Sequence, residues 1–162
     1  MSEFASILGP FIALLGAALA ALLPGLGSAK GVGRVGQAVN GILADQPDLF
    51  GKALILQALP GTQGIYGLLT FFLILTRSGI MSQGFAADIS LGHGLLWFAA
   101  AMPITVVGYL SAIHQAKVCE TGVALIAKRA DQQARVIVLA VVVETYAIFS
   151  LLTSVLAIFS LA

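Results

Sequence analysis

Four long runs almost free of charge dominate this chain. Residues 4–29, 53–76 and 89–116 contain no Asp, Glu, Lys or Arg, and 136–162 contains one, Glu144. Each is longer than the roughly 20 residues that carry an α-helix across a bilayer. Hydrocarbon offers no partner for backbone N–H and C=O groups, so each segment pairs them internally as helix. Only 9% of the 162 residues are charged and 59% are hydrophobic, which is too little polar surface for a water-soluble domain of this size. The opening MSEF has an acid and no lysine, so the first run reads as a span rather than a cleaved leader. The expectation is an all-α membrane protein, with residues 1–162 forming a single unit of four transmembrane helices. A net charge of +1 gives no basic patch and so no case for nucleic acid. With one cysteine, Cys119, neither an internal disulfide nor a Cys-rich metal site is available.

The basic residues orient the spans. Lys30, Arg34 and Lys52 flank the first connection, and Lys117, Lys128, Arg129 and Arg135 flank the third. Only Arg77 lies at the second. Connections 30–52 and 117–135 are therefore expected on the cytoplasmic side, with both termini outside.

The chain also repeats itself. Residues 25–73 align without a gap on 108–156, with 13 identities in 49 positions. Ser28-Ala29 matches Ser111-Ala112, and Leu68-Leu69-Thr70 matches Leu151-Leu152-Thr153. Each copy spans two helices, so the second enters the membrane in the same sense as the first. The fold expected is two tandem duplicated hairpins in parallel, unlike the inverted repeats of many secondary transporters. The copies differ where it matters: Glu144 falls opposite Gly61.

An unpaired carboxylate in a membrane costs roughly 2.5–3.5 kcal/mol on insertion scales, so Glu144 needs partners and marks an ion or proton pathway. Gln115 precedes the turn at Lys128-Arg129 by about as much as Glu144 follows it. Antiparallel helices of equal rise bring the two to one level. Thr62 and Gln63, within LPGTQG (59–64), lie at similar depth in the first hairpin. Pro60 has no N–H and leaves carbonyls in the preceding turn without a partner. Tyr66, one turn after Gln63, is placed to donate its hydroxyl to the carboxylate. Oxygen donors with a single negative charge suit a hard monovalent cation, and no sulfur or imidazole is among them. Two amides exceed what a proton carrier needs, which favours Na⁺, with H⁺ the alternative; no organic cofactor is called for. The bland role of the glutamines is interhelical hydrogen bonding. Tyr146, two positions from Glu144, points elsewhere.

GVGRVG (31–36) fits the dinucleotide pattern GxGxxG but follows a span rather than a strand, so it is a coincidence. Gly25, Gly27, Gly31 and Gly33, with Ala29, instead form small-xxx-small pairs that let helix backbones touch. Such crowding suits a ring in which copies of the first helix line a narrow inside. His93 is interfacial, His114 is one helical step from Gln115 and so diverges from it, and Cys119 reads as a small packing residue.

LILQALPGTQGIYG (54–67), GLGSAKGVG (25–33), SAIHQAKV (111–118) and VVETYAI (142–148) together resemble the proteolipid subunit of V-type ATPases, above all the K subunits of bacterial sodium-translocating ones. The resemblance covers nearly the whole chain. It implies a homo-oligomeric rotor ring in the cell membrane, surrounded by lipid. An essential arginine of a stator subunit would assist ion exchange. A central stalk would couple rotation to ATP hydrolysis on other subunits, so the chain itself is non-catalytic. It further implies that Na⁺ is held by the Leu59 main-chain carbonyl, Thr62, Gln63, Gln115 and Glu144, with Tyr66 closing the site on the carboxylate. His114, where a small residue is usual, and Arg34, in the glycine-rich stretch, depart from the pattern without removing a ligand. A proton rotor, a small proton-coupled secondary transporter and a purely structural membrane oligomer stand as alternatives.

Overall fold

A computed structural model describes residues 2–161, with side chains from Ser6 to Leu161. Helix α1 runs Ser2–Leu43, well past residue 29. The glycines of 31–36 do not interrupt it, because Val35 and Val39 continue its buried stripe into the basic end of the protein. It stops before Pro47, which forces Gln46 out of the helical region (φ −134°, ψ 67°). The second span is helix α2 (Phe50–Ala58), a tight turn of 3₁₀ helix at Leu59–Gly61, and helix α3 (Thr62–Arg77). The interruption falls on Pro60-Gly61, so the LPGTQG segment bends where the sequence removes a donor.

Gly79 ends this span with φ +79°, a left-handed conformation that glycine adopts without steric cost. A short helix α4 (Ile80–Gln83) follows in the outer connection. Helix α5 spans Leu91–Lys128 and is capped by Ser90, whose hydroxyl accepts from the His93 N–H at 3.3 Å. After a 3₁₀ turn at Ala130–Gln132, helix α6 spans Gln133–Ser160. Four helical stretches, 6–43, 47–77, 91–128 and 130–160, are long and apolar enough to cross a membrane.

The two first helices of the hairpins form the centre. α1 lies along α5, α3 packs on α1, α6 packs on α5, and α3 meets α6 at the back. Gly16 faces Phe98, Gly27 faces Tyr109 and Ala112, and Gly31 faces Ala112 and Ala116. The contacts advance together along both helices, so α1 and α5 run parallel, as two hairpins inserted in the same sense must.

Small side chains make this approach possible. Ala13, Ala17 and Ala20 are fully buried at helical spacing. A Cβ on Gly27 would lie 2.8 Å from the Tyr109 carbonyl oxygen, and one on Gly31 would lie 2.9 Å from Pro60 Cβ. Without a hydrophobic driving force between helices in lipid, such backbone contact is what holds them. Pro24 adds a second device. It cannot donate to the Ala20 carbonyl one turn earlier, and that carbonyl faces Gly67 of α3, where any Cβ would collide with it.

Large apolar side chains lie outside: Ile65, Leu68, Leu69 and Phe72 of α3, and Val138, Leu139, Val142, Tyr146 and Phe149 of α6 are all exposed on the protomer. A chain with its bulk outside and its small residues inside is built for lipid or for further copies of itself.

Candidate functional site

Two apolar clusters fill the interior. One, toward the termini, includes Ala20, Ile74, Ile104 and Ile158; the other, toward the basic connections, includes Leu56, Ala116, Val123 and Ala140. Between them lies a layer of buried polar side chains: Gln63 of α3, Ser111 and Gln115 of α5, and Glu144 of α6.

Glu144 occupies the middle of the buried stripe of α6, between Ala140 and Ala147, and is 7% exposed. The small neighbours leave room for partners from two other helices. Tyr66 donates its hydroxyl to Glu144 Oε1 at 2.7 Å. Gln115 Nε2 donates to Glu144 Oε2 at 3.2 Å and to the Ala140 carbonyl at 3.1 Å. Gln63 Nε2 in turn donates to Gln115 Oε1 at 2.7 Å. Both carboxylate oxygens thus accept a hydrogen bond from a neighbouring helix.

The LPGTQG bend supplies the rest. Thr62 Oγ1 donates to the Leu59 carbonyl at 3.1 Å, and the Thr62 N–H closes the 3₁₀ turn on the same oxygen. The Gly64 N–H, freed by the bend from regular helical pairing, donates to Ser28 Oγ of α1 at 2.9 Å. Gln63 Oε1 is the one buried side-chain oxygen or nitrogen without a hydrogen-bond partner among the described residues. Such an atom costs about 1–3 kcal/mol when nothing satisfies it.

Gln63, Tyr66, Gln115 and Glu144 therefore meet in one bonded network, and Leu59 and Thr62 adjoin it at the bend. His114 is exposed and lines an apolar groove of about 330 Å³ with Val107, Leu110, Ser111, Val143 and Tyr146. His93 bonds Ser90 at the start of α5, with Nδ1 3.1 Å from the hydroxyl. Arg34 forms an ion pair with Glu120 of α5, which accounts for the charge in the glycine-rich stretch. Cys119 is buried in the apolar cluster near the basic end. Of the glycines, Gly27 and Gly31 are at close approaches within the protomer, Gly25 has its Cα against Gly64, and a Cβ on Gly33 would meet nothing within 4 Å. Among the described residues no group of three or more His, Cys, Asp or Glu is placed to hold a metal.

Sequence reasoning missed Ser111. It noted the serine only as a repeat identity with Ser28, although a hydroxyl four residues before Gln115 on one helix face was a usable signal. The repeat also shows that the first hairpin has no matching polar pair. The counterparts of Gln115 and Glu144 are Val32 and Gly61, and a Cβ on Gly61 would touch Val32 Cγ2 at 3.6 Å. The same helix crossing is apolar in one copy and polar in the other.

A duplicated helical hairpin that buries one carboxylate in a polar layer at mid-span is the architecture of a membrane ion carrier. The family model for the ATP synthase C subunit matches residues 15–74 and again 98–157, the same offset as the internal repeat. The chain belongs to that family, as a proteolipid with two copies of the unit. It is 42% identical over 146 residues to the V-type sodium ATPase subunit K of Enterococcus hirae, covering 90% of this chain and 89% of that one. It is 36% identical to the A-type ATP synthase subunit K of Methanocaldococcus jannaschii, covering 88% of this chain and 59% of that longer one. It is 26% identical to the V-type proton ATPase 16 kDa proteolipid subunit of Chrysotila carterae, covering 94% and 92%. The protein is thus a multi-pass membrane proteolipid of the V/A-type ATPase rotor class.

Proposed function

We propose that this chain carries Na⁺ at Glu144 as one subunit of a homo-oligomeric rotor ring in a bacterial cell membrane. The observation that carries the reading is the unpartnered, buried Gln63 Oε1 in a layer that also contains Gln115 and Glu144. Leu59, through its carbonyl, and Thr62, through its hydroxyl, supply further oxygens from the bend. A 180° turn of the Gln115 amide exchanges its nitrogen for its oxygen and adds another. An all-oxygen set with one negative charge neutralises a monovalent cation and no more. The likeness to a sodium ATPase subunit across 90% of the chain supports the choice of ion. The likeness to proton ATPase subunits makes H⁺ the outcome to exclude.

The chain's own residues then perform three tasks. Glu144 provides the charge, Tyr66 holds one of its oxygens while Gln115 holds the other until a cation takes its place, and the apolar clusters on either side keep water from the site. With Na⁺ bound, the site is nearly neutral, which lets the rotor face pass through lipid without the cost of a bare charge. At a stator subunit, an arginine would compete for the carboxylate and release the ion to one side. A central stalk would couple the turning ring to ATP hydrolysis on other subunits. The basic connections 30–52 and 117–135 would face the cytoplasm and the stalk, with both termini outside. One carboxylate per four helices gives fewer ions per turn for a given helix count, which suits pumping against a steep gradient.

The test is carbodiimide labelling of Glu144 in the purified ring at fixed pH and ionic strength. A carboxyl must be protonated to react, and a bound cation prevents that. Protection by Na⁺ and not by K⁺ is expected. Labelling that responds to pH alone would replace Na⁺ with H⁺.

A further inference from the structure

The polar layer has a direction, and Ser111 stands at its head. The Val143 carbonyl can only accept, so the Ser111 hydroxyl donates to it, at 3.2 Å. Having given its proton, Ser111 Oγ can only accept from its other neighbour, Gln63 Nε2, at 3.4 Å. The remaining Gln63 N–H goes to Gln115 Oε1 at 2.7 Å. Both amide hydrogens of Gln63 are then spent on α5, and its Oε1 is the end left over. At the tail, the Ala140 carbonyl and the Glu144 carboxylate are acceptors only and fix the Gln115 nitrogen toward α6.

We infer that Ser111 is a positioning residue for ion binding: it locks the Gln63 carboxamide so that its oxygen, not its nitrogen, is presented to the cation. This rests on the Na⁺ reading above. The lock matters most when an ion is present. Gln115 must then turn an oxygen toward the cation, and its hold on Gln63 reverses. Ser111 is the partner whose preference does not change, because Val143 sets it. Without the hydroxyl, the Gln63 amide can present nitrogen, and a donor facing a cation repels it.

The duplication supports a dedicated role. Ser28, at the equivalent position of the first copy, does different work: it accepts from the Gly64 N–H at the LPGTQG bend. Ser111 faces an unbroken α6 and is free to donate to Val143.

The experiment measures the Na⁺ concentration that half-protects Glu144 from carbodiimide at fixed pH, in the assembled ring. Removing a group that orients a ligand typically weakens a metal site about 10–100-fold. Ser111→Ala is expected to raise the half-protecting concentration at least tenfold, and Ser111→Thr, which keeps the hydroxyl, to restore it. In a Gln63→Ala background Ser111→Ala is expected to add nothing, because the two act as a unit. An unchanged Ser111→Ala, or an equal loss in both backgrounds, overturns the assignment. If the unsubstituted ring shows no protection by Na⁺, the Na⁺ reading itself falls, and that result is separate from either of these.

Discussion

Tyr66→Phe isolates one interaction in the polar layer. The substitution removes a single hydroxyl, keeps the ring that packs beside the apolar cluster of the terminal end, and deletes the 2.7 Å hydrogen bond to Glu144 Oε1. Glu144 retains its other partner, Gln115 Nε2 at 3.2 Å. A hydrogen bond to a charged group contributes about 1.5–3 kcal/mol, and Tyr66 is only partly buried, which places it at the lower end. A loss of about 1.5 kcal/mol corresponds to about tenfold in affinity. Tyr66 touches the carboxylate rather than the ion, so the loss reflects a poorly held carboxylate and not a missing ligand. The expected result is that about ten times more Na⁺ is needed to protect Glu144 from carbodiimide at fixed pH, while the assembled ring keeps its size. An unchanged Na⁺ requirement would show that the hydroxyl does not hold the carboxylate for binding. Complete loss of protection would show that the hydroxyl itself coordinates the ion.

Other consequences can be checked independently. Glu144→Gln removes the only charge of the polar layer; ion uptake by the reconstituted complex should fall to background while the ring still assembles, and normal transport would sink the role given to Glu144. Gly67→Val drives a side chain into the Ala20 carbonyl; overpacking of this kind costs about 1–3 kcal/mol, seen as a lower temperature of ring dissociation. At the exposed connection, Arg129 donates two hydrogen bonds to Asp131 at 3.1 Å, and Gln132 adds another; together they hold the Asp131 carboxyl below its ordinary 3.8. A lowered carboxyl contributes stability that is present above its unfolded value and lost as pH falls through the folded one. The Asp131 carbon resonance should therefore titrate below 3.8, and Arg129→Ala should move its midpoint upward.

The four helices were legible because hydrocarbon leaves the backbone only one way to pair its groups. The parallel arrangement of α1 and α5 was legible because an ungapped repeat over two spans inserts each copy in the same sense. The level of Gln115 and Glu144 followed from helical rise alone, and Gly61 opposite Glu144 already marked the second copy as the polar one. The sequence did not reveal that α1 continues to Leu43 beyond the apolar run, since a helix leaving the bilayer is sustained by packing on α5 rather than by hydropathy.

What tertiary structure decided was direction and pairing. Ser111 and Ser28 are identical residues at matched positions, yet one donates to a carbonyl and the other accepts from an N–H, because one faces an intact helix and the other a helix broken at Pro60. Whether Gln63 presents oxygen or nitrogen depends on rotation of three helices about their own axes, which no periodicity records. The Ala20 carbonyl left free by Pro24 finds its neighbour at Gly67, far along the chain, only once α3 packs on α1. The sequence determined which groups reach the same depth in the membrane, since rise along a helix is fixed by local geometry. The structure determined which of them face one another, since facing is a property of helices packed together.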